Sequence, residues 1–436
     1  MSTVEASTPV DVPAKRVVRD PAEVRRRGRV AVTLGLITAV LLYFAVAIHT
    51  TYVHYVLVEI PTADTPVHTI VAKPTIFGCA AVIIVIGVVT VAGWVPRGWV
   101  SAVLMVVAGI AFALGFMVWA YSDQPASGFE VKMSNPLPGT LAIATPLILG
   151  ALAGCLCERA AVINVAIEAQ FIMGAFFAAM VASMLTSTTA GLLAGIAAGV
   201  AVAALLAVFA IKYQVNQVVL GVVLVLLATG LTGFLLDQIP NKASTINFLN
   251  NPPTLTDIEI PVVSKIPVIG GSLFDQTILV YVMYVSVAFV TVVLFKTRWG
   301  LRVRAVGEHP TAADTVGIKV NRMRWQAVLF GGVFAGLGGA YFTVGSTGTF
   351  DRGVTGGNGF IALAALIMGR WNPIGATLAS LFFGFMWNLQ NQLSFTQKIP
   401  GDLLGMTPYL ATIIAVAGLV GRVRPPAADG EPYVKS

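Results

Sequence analysis

Apolar stretches of about twenty residues recur along nearly the whole chain, and this pattern restricts what it can fold into. They fall at residues 30–48, 76–95, 99–121, 137–156, 163–185, 190–211, 217–236, 277–295, 325–344, 356–369, 373–390 and 404–420, about twelve in all. Wound as helices at about 1.5 Å per residue, most are long enough to cross a hydrocarbon core of about 30 Å. Only 11% of the 436 residues are charged, against about a quarter in soluble proteins. No stretch is left for a sizeable soluble domain. The expected fold is an all-α, polytopic membrane helix bundle of about 10–12 transmembrane helices, with room for broken helices.

Lys and Arg mark the cytoplasmic side of short loops. Arg25, Arg26, Arg27 and Arg29 precede the first apolar run, which lacks a small-residue cleavage site and is expected to be retained as a span. Threading alternately from a cytoplasmic N-terminus puts Arg97, Arg159, Lys212, the 298–324 stretch, Arg370, Arg422 and Arg424 on the same side. The opposite loops, 50–73, 122–136, 237–276, 346–355 and 391–402, are rich in Thr, Asn and Pro. Four regions follow: a disordered cytoplasmic tail at 1–29, accessory spans at 30–136, a core at 137–421 and a cytoplasmic tail at 422–436. The segment at 356–369 is short for a full span and suits a half-helix or re-entrant piece.

A net charge of +7 does not point to nucleic acid, because the basic residues flank apolar segments instead of sharing one soluble face. Cys79, Cys155 and Cys157 have no further Cys or His at metal-ligand spacing, so no metal site is expected. No phosphate-cradling loop, paired-His zinc motif or nucleophile elbow occurs, and no catalytic residue is assigned. Uphill movement of a solute would then draw on an ion gradient or on another polypeptide.

Three stretches carry chemistry. In "ERAAVINVAIEAQFIMGAFFAAM" (158–180), Asn164 and Glu168 are four apart and share a face if the segment is one helix, while Gln170 points elsewhere. A carboxylate among apolar residues is expensive, which makes Glu168 a pathway or coupling residue unless it sits near the interface by Arg159 or pairs structurally with another helix. In the 296–325 loop, Pro310 is placed to open a short helix that Gly317 can end in the left-handed region. That helix either lies on lipid head groups or packs against the bundle or a separate protein. In "GGNGFIALAALIMGRWNPIG" a Gly-rich entry, a short apolar helix and Asn372-Pro373 form a second interrupted element, in which Asn358 could instead cap a helix. Glycines 191, 195, 199, 332 and 336 stand at helical spacing for close packing, within one bundle or between copies.

These three stretches together resemble the permease subunits of ATP-binding-cassette importers in the branched-chain amino acid and simple-sugar permease superfamily, and within it the nucleoside permeases. The resemblance covers roughly residues 137–421. It implies a substrate pathway at Asn164, Glu168, Gln170, Asn358 and Phe360, and a coupling helix contacting the ATPase through Glu308, Pro310, Ala312, Ala313 and Gly317. It also implies ABC ATPase subunits that bind the ATP, so that this chain holds no cofactor. A second homologous permease, an extracytoplasmic substrate-binding lipoprotein and membrane lipid complete the expected partners. The location implied is a bacterial cytoplasmic membrane with both termini inside. The alternative left by the residues alone is a self-sufficient ion-coupled carrier using Glu168, or a membrane scaffold. Ala160, Ala166 and Ala169 replace the small Ser and Gly usual in the family, and Val225 a frequent Asn. The alanines lead to the expectation of a more continuous helix across 158–170.

Overall fold

The structure is a computed structural model that describes residues 21–56, 67–94, 99–122, 135–238, 249–264, 266, 270–394, 403, 406 and 424–434. The apolar segment expected at 404–420 lies outside the described residues, as does the start of the N-terminal tail. Among the described residues, nine helices are long and apolar enough to cross a membrane. The polytopic helical architecture is therefore as expected.

The chain divides into two compact units. In the first, α1 (Pro21–Ala47), α2 (Ala72–Ala92) and α3 (Trp99–Tyr121) pack on one another, with a short antiparallel ribbon of β1 (Tyr52–Tyr55) and β2 (His68–Val71) before α2. Helix α1 begins at Pro21, so residues 21–29, expected as disordered tail, are helical. Pro at the first helical position has a fixed φ suited to that turn. Leu34, Leu41, Ile76 and Ile83 are buried between the three helices, and the rings of Phe44 and Trp119 stack at 4.1 Å.

The second unit is built around α4 (Leu137–Glu158) and α12 (Val320–Phe342). The apolar window of α4 is 89% buried, whereas that of α7 (Gln217–Asp237) is 28% buried and its flank is open. Helices α5 (Ile167–Leu185), α6 (Thr188–Ala207) and α14 (Pro373–Leu393) pack against this pair, and α9 (Ile278–Lys296) lies along α4. Ahead of α9 stand β3 (Asp257–Glu259), α8 (Gly270–Phe274) and β4 (Asp275–Thr277), the strands pairing antiparallel. After α9 the chain forms two shorter helices, α10 (Arg298–Glu308) and α11 (Pro310–Thr315), and α13 (Asn358–Met368) follows α12.

Small residues explain how α6 and α12 come together. A Cβ added to Gly336 would lie 2.5 Å from the Gly195 carbonyl oxygen, and one on Gly199 would lie 2.5 Å from the Gly336 Cα. Without a hydrophobic force between helices in lipid, such backbone approach supplies the packing. The glycine seam lies inside the bundle.

Two breaks interrupt the helical pattern. Helix α4 ends at Glu158, and residues 159–166 are non-helical before α5 starts at Ile167. The segment is broken here despite the alanines that led to the expectation of a more continuous helix. Alanine favours helix only through backbone entropy of about 1 kcal/mol relative to Gly, and tertiary contacts outweigh that: Ala161 is held at φ +63 and the Ile163 N–H donates to the Gln217 side chain at 2.6 Å. Irregular backbone among membrane helices persists only where protein covers it, and Ala160, Ala161, Val162, Asn164 and Ala166 are all fully buried. The second break follows α13, where Arg370 and Trp371 take φ of 56° and 52° and the Asn372 side chain accepts from the Ile374 and Gly375 N–H groups to start α14. The 356–369 segment is thus a half-helix of 11 residues.

Replacing Gly336 by Ala should destabilise the bundle by about 1–3 kcal/mol through overpacking, whereas Gly109→Ala, whose Cβ meets nothing within 4 Å, should be neutral. Thermal melting of the detergent-solubilised protein measures both, and equal melting of the two variants would contradict the seam.

Candidate functional site

The first N–H groups of α13 have no carbonyl of their own helix to bond to. Its N-terminal flanking residue is Gly357 at φ +79, which has no side chain to cap it. The cap comes from another helix. Glu168, in the first turn of α5 and 4% exposed, accepts from the Thr355 hydroxyl at 2.6 Å and the Gly357 N–H at 3.1 Å on Oε1, and from the Gly359 N–H at 2.6 Å on Oε2. Two backbone N–H donors and one hydroxyl thus engage both oxygens of the carboxyl. The positive end of the α13 dipole adds to its stabilisation. Gly359 packs directly on the Glu168 backbone, so a Cβ there would collide with it.

The other polar residues of the stretch are placed differently from the helix-face expectation. Asn164 lies in the non-helical connection and is not on one face with Glu168. Its Nδ2 donates to the Gln170 Oε1 at 3.3 Å. Both are fully buried, and among the described residues Asn164 Oδ1 and Gln170 Nε2 have no hydrogen-bond partner. Asn358 is the first residue of α13 and does not cap it with its side chain, since its Nδ2 donates to the Thr355 carbonyl at 2.8 Å.

A cavity of about 530 Å³ opens beside the capped half-helix, lined among others by Glu168, Phe360, Thr355, Phe350, Phe234 and Thr232. This is within the range of small-molecule sites, about 300–1,000 Å³. Of the residues expected on a pathway, Glu168 and Phe360 reach this cavity, and Asn164, Gln170 and Asn358 do not line it. Val225, the position noted as departing from Asn, is part of its wall. At its rim Arg352 pairs with Asp237 and donates to the Gly233 carbonyl at 3.3 Å. Thr355, Phe350 and the Arg352–Asp237 pair were not singled out in the sequence. The signal for Thr355 lay two residues ahead of Gly357, in a polar run that otherwise read as a loop.

The far end of α13 is tied to the same connection. The Trp371 indole N–H donates to Glu158 Oε2, and Arg159 Nε donates to the Trp371 carbonyl at 2.9 Å. An 11-residue helix rises about 16 Å, so residues 158–168 run alongside α13 and clasp it at both ends.

The expected short helix is present as α11, with Pro310 in its first turn and Gly317 at φ +84. The Gly317 N–H bonds to the Asp314 carbonyl and the Ile318 N–H to the Ala313 carbonyl, closing a Schellman-type stop. Ala312 and Gly317 are exposed and Pro310 is half-buried, but Ala313 is turned inward among Val306, Val320 and Met323. Glu308 is exposed, and its Oε2 accepts from the Ala427 N–H at 3.2 Å.

Residues 137–420 match the family described as the permease component of branched-chain amino acid transport systems. The chain belongs to this family. It is 40% identical over 313 residues to the guanosine ABC transporter permease protein NupQ of Bacillus subtilis, covering 70% of this chain and 97% of that protein. It is 41% identical over 306 residues to the nucleoside ABC transporter permease protein NupC of Lactococcus lactis, covering 68% and 95%. A putative glucose ABC transporter permease protein, TsgC13 of Haloferax volcanii, is 34% identical over 258 residues, 58% of this chain and 76% of that protein. No solved structure matches the chain. It is a multi-pass membrane transport permease component.

Glu168→Gln keeps the shape but turns an N–H toward one of the α13 donors. The variant should lose about 1.5–3 kcal/mol, the worth of a hydrogen bond to a charged group, and Thr355→Val should lose less. Chemical or thermal unfolding of the purified protein ranks the two, and the reverse order would count against the cap.

Proposed function

We propose that the chain is the permease subunit of an ABC importer for nucleosides, with the cavity beside α13 as part of the solute path. The observation that carries this reading is the cavity itself. Phe234, Phe350 and Phe360 line it together with Thr229, Thr232 and Thr355, and the Thr232 and Thr355 hydroxyls, which donate to the Ala228 carbonyl and to Glu168, keep lone pairs that can accept. A flat base stacks on aromatic faces, and ribose hydroxyls exchange hydrogen bonds with threonines. The near full-length likeness to permeases named for guanosine and nucleosides supports the same solute class over glucose.

In this reading the permease holds no ATP. Separate ATPase subunits dock on the cytoplasmic face at α11, through its exposed residues Thr311, Ala312 and Thr315 with Val316 and Gly317 beyond. Both termini are cytoplasmic, a second homologous permease completes the membrane part, and an extracytoplasmic lipoprotein delivers solute. ATP and the loaded binding protein each favour one orientation of the bundle, because a ligand shifts a conformational equilibrium only through unequal affinity for its states. An ion-coupled carrier built on Glu168 is disfavoured. Three of its roughly four acceptor positions are taken up within the protein by Thr355, Gly357 and Gly359.

Uptake of labelled guanosine in cells expressing the full transporter should require the ATPase and be competed by unlabelled nucleosides but not by glucose. Uptake that persists without the ATPase would refute the assignment. Phe360→Ala should lower guanosine uptake about tenfold, equivalent to ~1.4 kcal/mol, by removing a stacking face, while the ATPase still co-purifies.

A further inference from the structure

The C-terminal segment 424–434 lies beyond the 137–420 family match, yet it is folded against three separate parts of the second unit. It bonds to the end of α10, where the Ala428 N–H donates to the Gly307 carbonyl at 3.0 Å and the Ala427 N–H donates to Glu308. It closes over α11 and α12, where the Tyr433 ring is buried among Val306, Ala313, Val320 and Met323. Arg324, which is 1% exposed, donates through Nη1 to the Glu431 carbonyl at 2.9 Å. It also reaches the broken connection between α4 and α5. Gly430, at φ +77, sits so close to Ile163 that an added Cβ would be 2.7 Å from its Cδ1.

A loose polar tail would leave these groups to water. Instead Pro426, Ala428 and Tyr433 are buried, and the segment bonds mainly to α10 and α12 while touching the 158–168 connection at Ile163. That connection carries Glu158 and Arg159 at one end of α13 and Glu168 at the other. The outward residues of α11 remain uncovered, so the segment does not occlude the surface proposed for the ATPase.

We infer that residues 424–434 are a strap that joins α11 to the α4–α5 connection, so that displacement of α11 by an ATPase is delivered to the capped half-helix. The inference rests on the reading of α11 as the ATPase contact. Tyr433, Gly430 and Glu308 are its positioning residues. A rigid link is needed because a helix of 6 residues has little stability of its own and would otherwise yield locally under load.

The test uses the full transporter with its ATPase in three forms: wild type, a chain ending at Val423, and the double variant Gly430→Val with Tyr433→Ala. Gly430→Val strains the tail's left-handed backbone and presses on Ile163, whereas the chain ending at Val423 removes the tail without pressing on the connection. In both altered forms ATPase should co-purify in the wild-type ratio and ATP hydrolysis should persist, while uptake falls about tenfold, a typical coupling effect. As separate single variants, Tyr433→Ala should lower uptake and Tyr433→Phe, which keeps the buried ring, should retain most of it. Unchanged uptake in both altered forms overturns the strap. Loss of the ATPase from the complex also overturns it, since the segment would then be part of the docking surface and not a link behind it. Failure of the underlying reading would show separately, as wild-type uptake indifferent to the ATPase.

Discussion

One carboxylate governs the arrangement of the transport core. Glu168 supplies from α5 the cap that the glycine-rich start of α13 cannot supply for itself. Inside a membrane bundle an uncapped helix start leaves several N–H groups without partners, at a cost of several kcal/mol. An isolated carboxylate there is equally unfavourable. Each defect cures the other, and the two half-elements are locked into one register. The cavity forms where they meet, since a helix that stops inside the bundle leaves space above its first turn.

This interlock also sets the path of residues 159–166. Glu168 meets the start of α13 while Glu158 and Arg159 hold Trp371 at its end, so the residues between them run the length of α13. Alanines at 166 and 169 are compatible with that path because their methyl groups fit the packed interior, both being fully buried. The local preference of alanine for helix is the smaller quantity.

Much of this was legible in the residues. Hydropathy alone marks the spans, since it reflects a solvent constraint that every segment must meet. Pro310 and Gly317 mark α11 because each has a backbone preference that acts locally. The family resemblance on the three motifs pointed to Glu168 and Phe360 as neighbours of a path, and both line the cavity. What could not be read were relations between distant residues. Nothing near Glu168 announces that its partners are Thr355, Gly357 and Gly359, and nothing in "RPPAADGEPYV" announces that Tyr433 completes an apolar cluster with Val306 and Met323. A helix-face argument for Asn164 and Glu168 failed for the same reason: it assumed local periodicity where long-range hydrogen bonds decide.

The turns at Ala161, Arg370 and Trp371 have a consequence of their own. All three hold left-handed backbone without being glycine, which costs about 1–2 kcal/mol each. Arg159 and Glu158 bond to Trp371 across the gap between them. Strain and restraint are therefore located at the same joint, and the joint is under tension while the clasp is closed. That joint therefore has one backbone path, held by side chains from segments far apart in sequence.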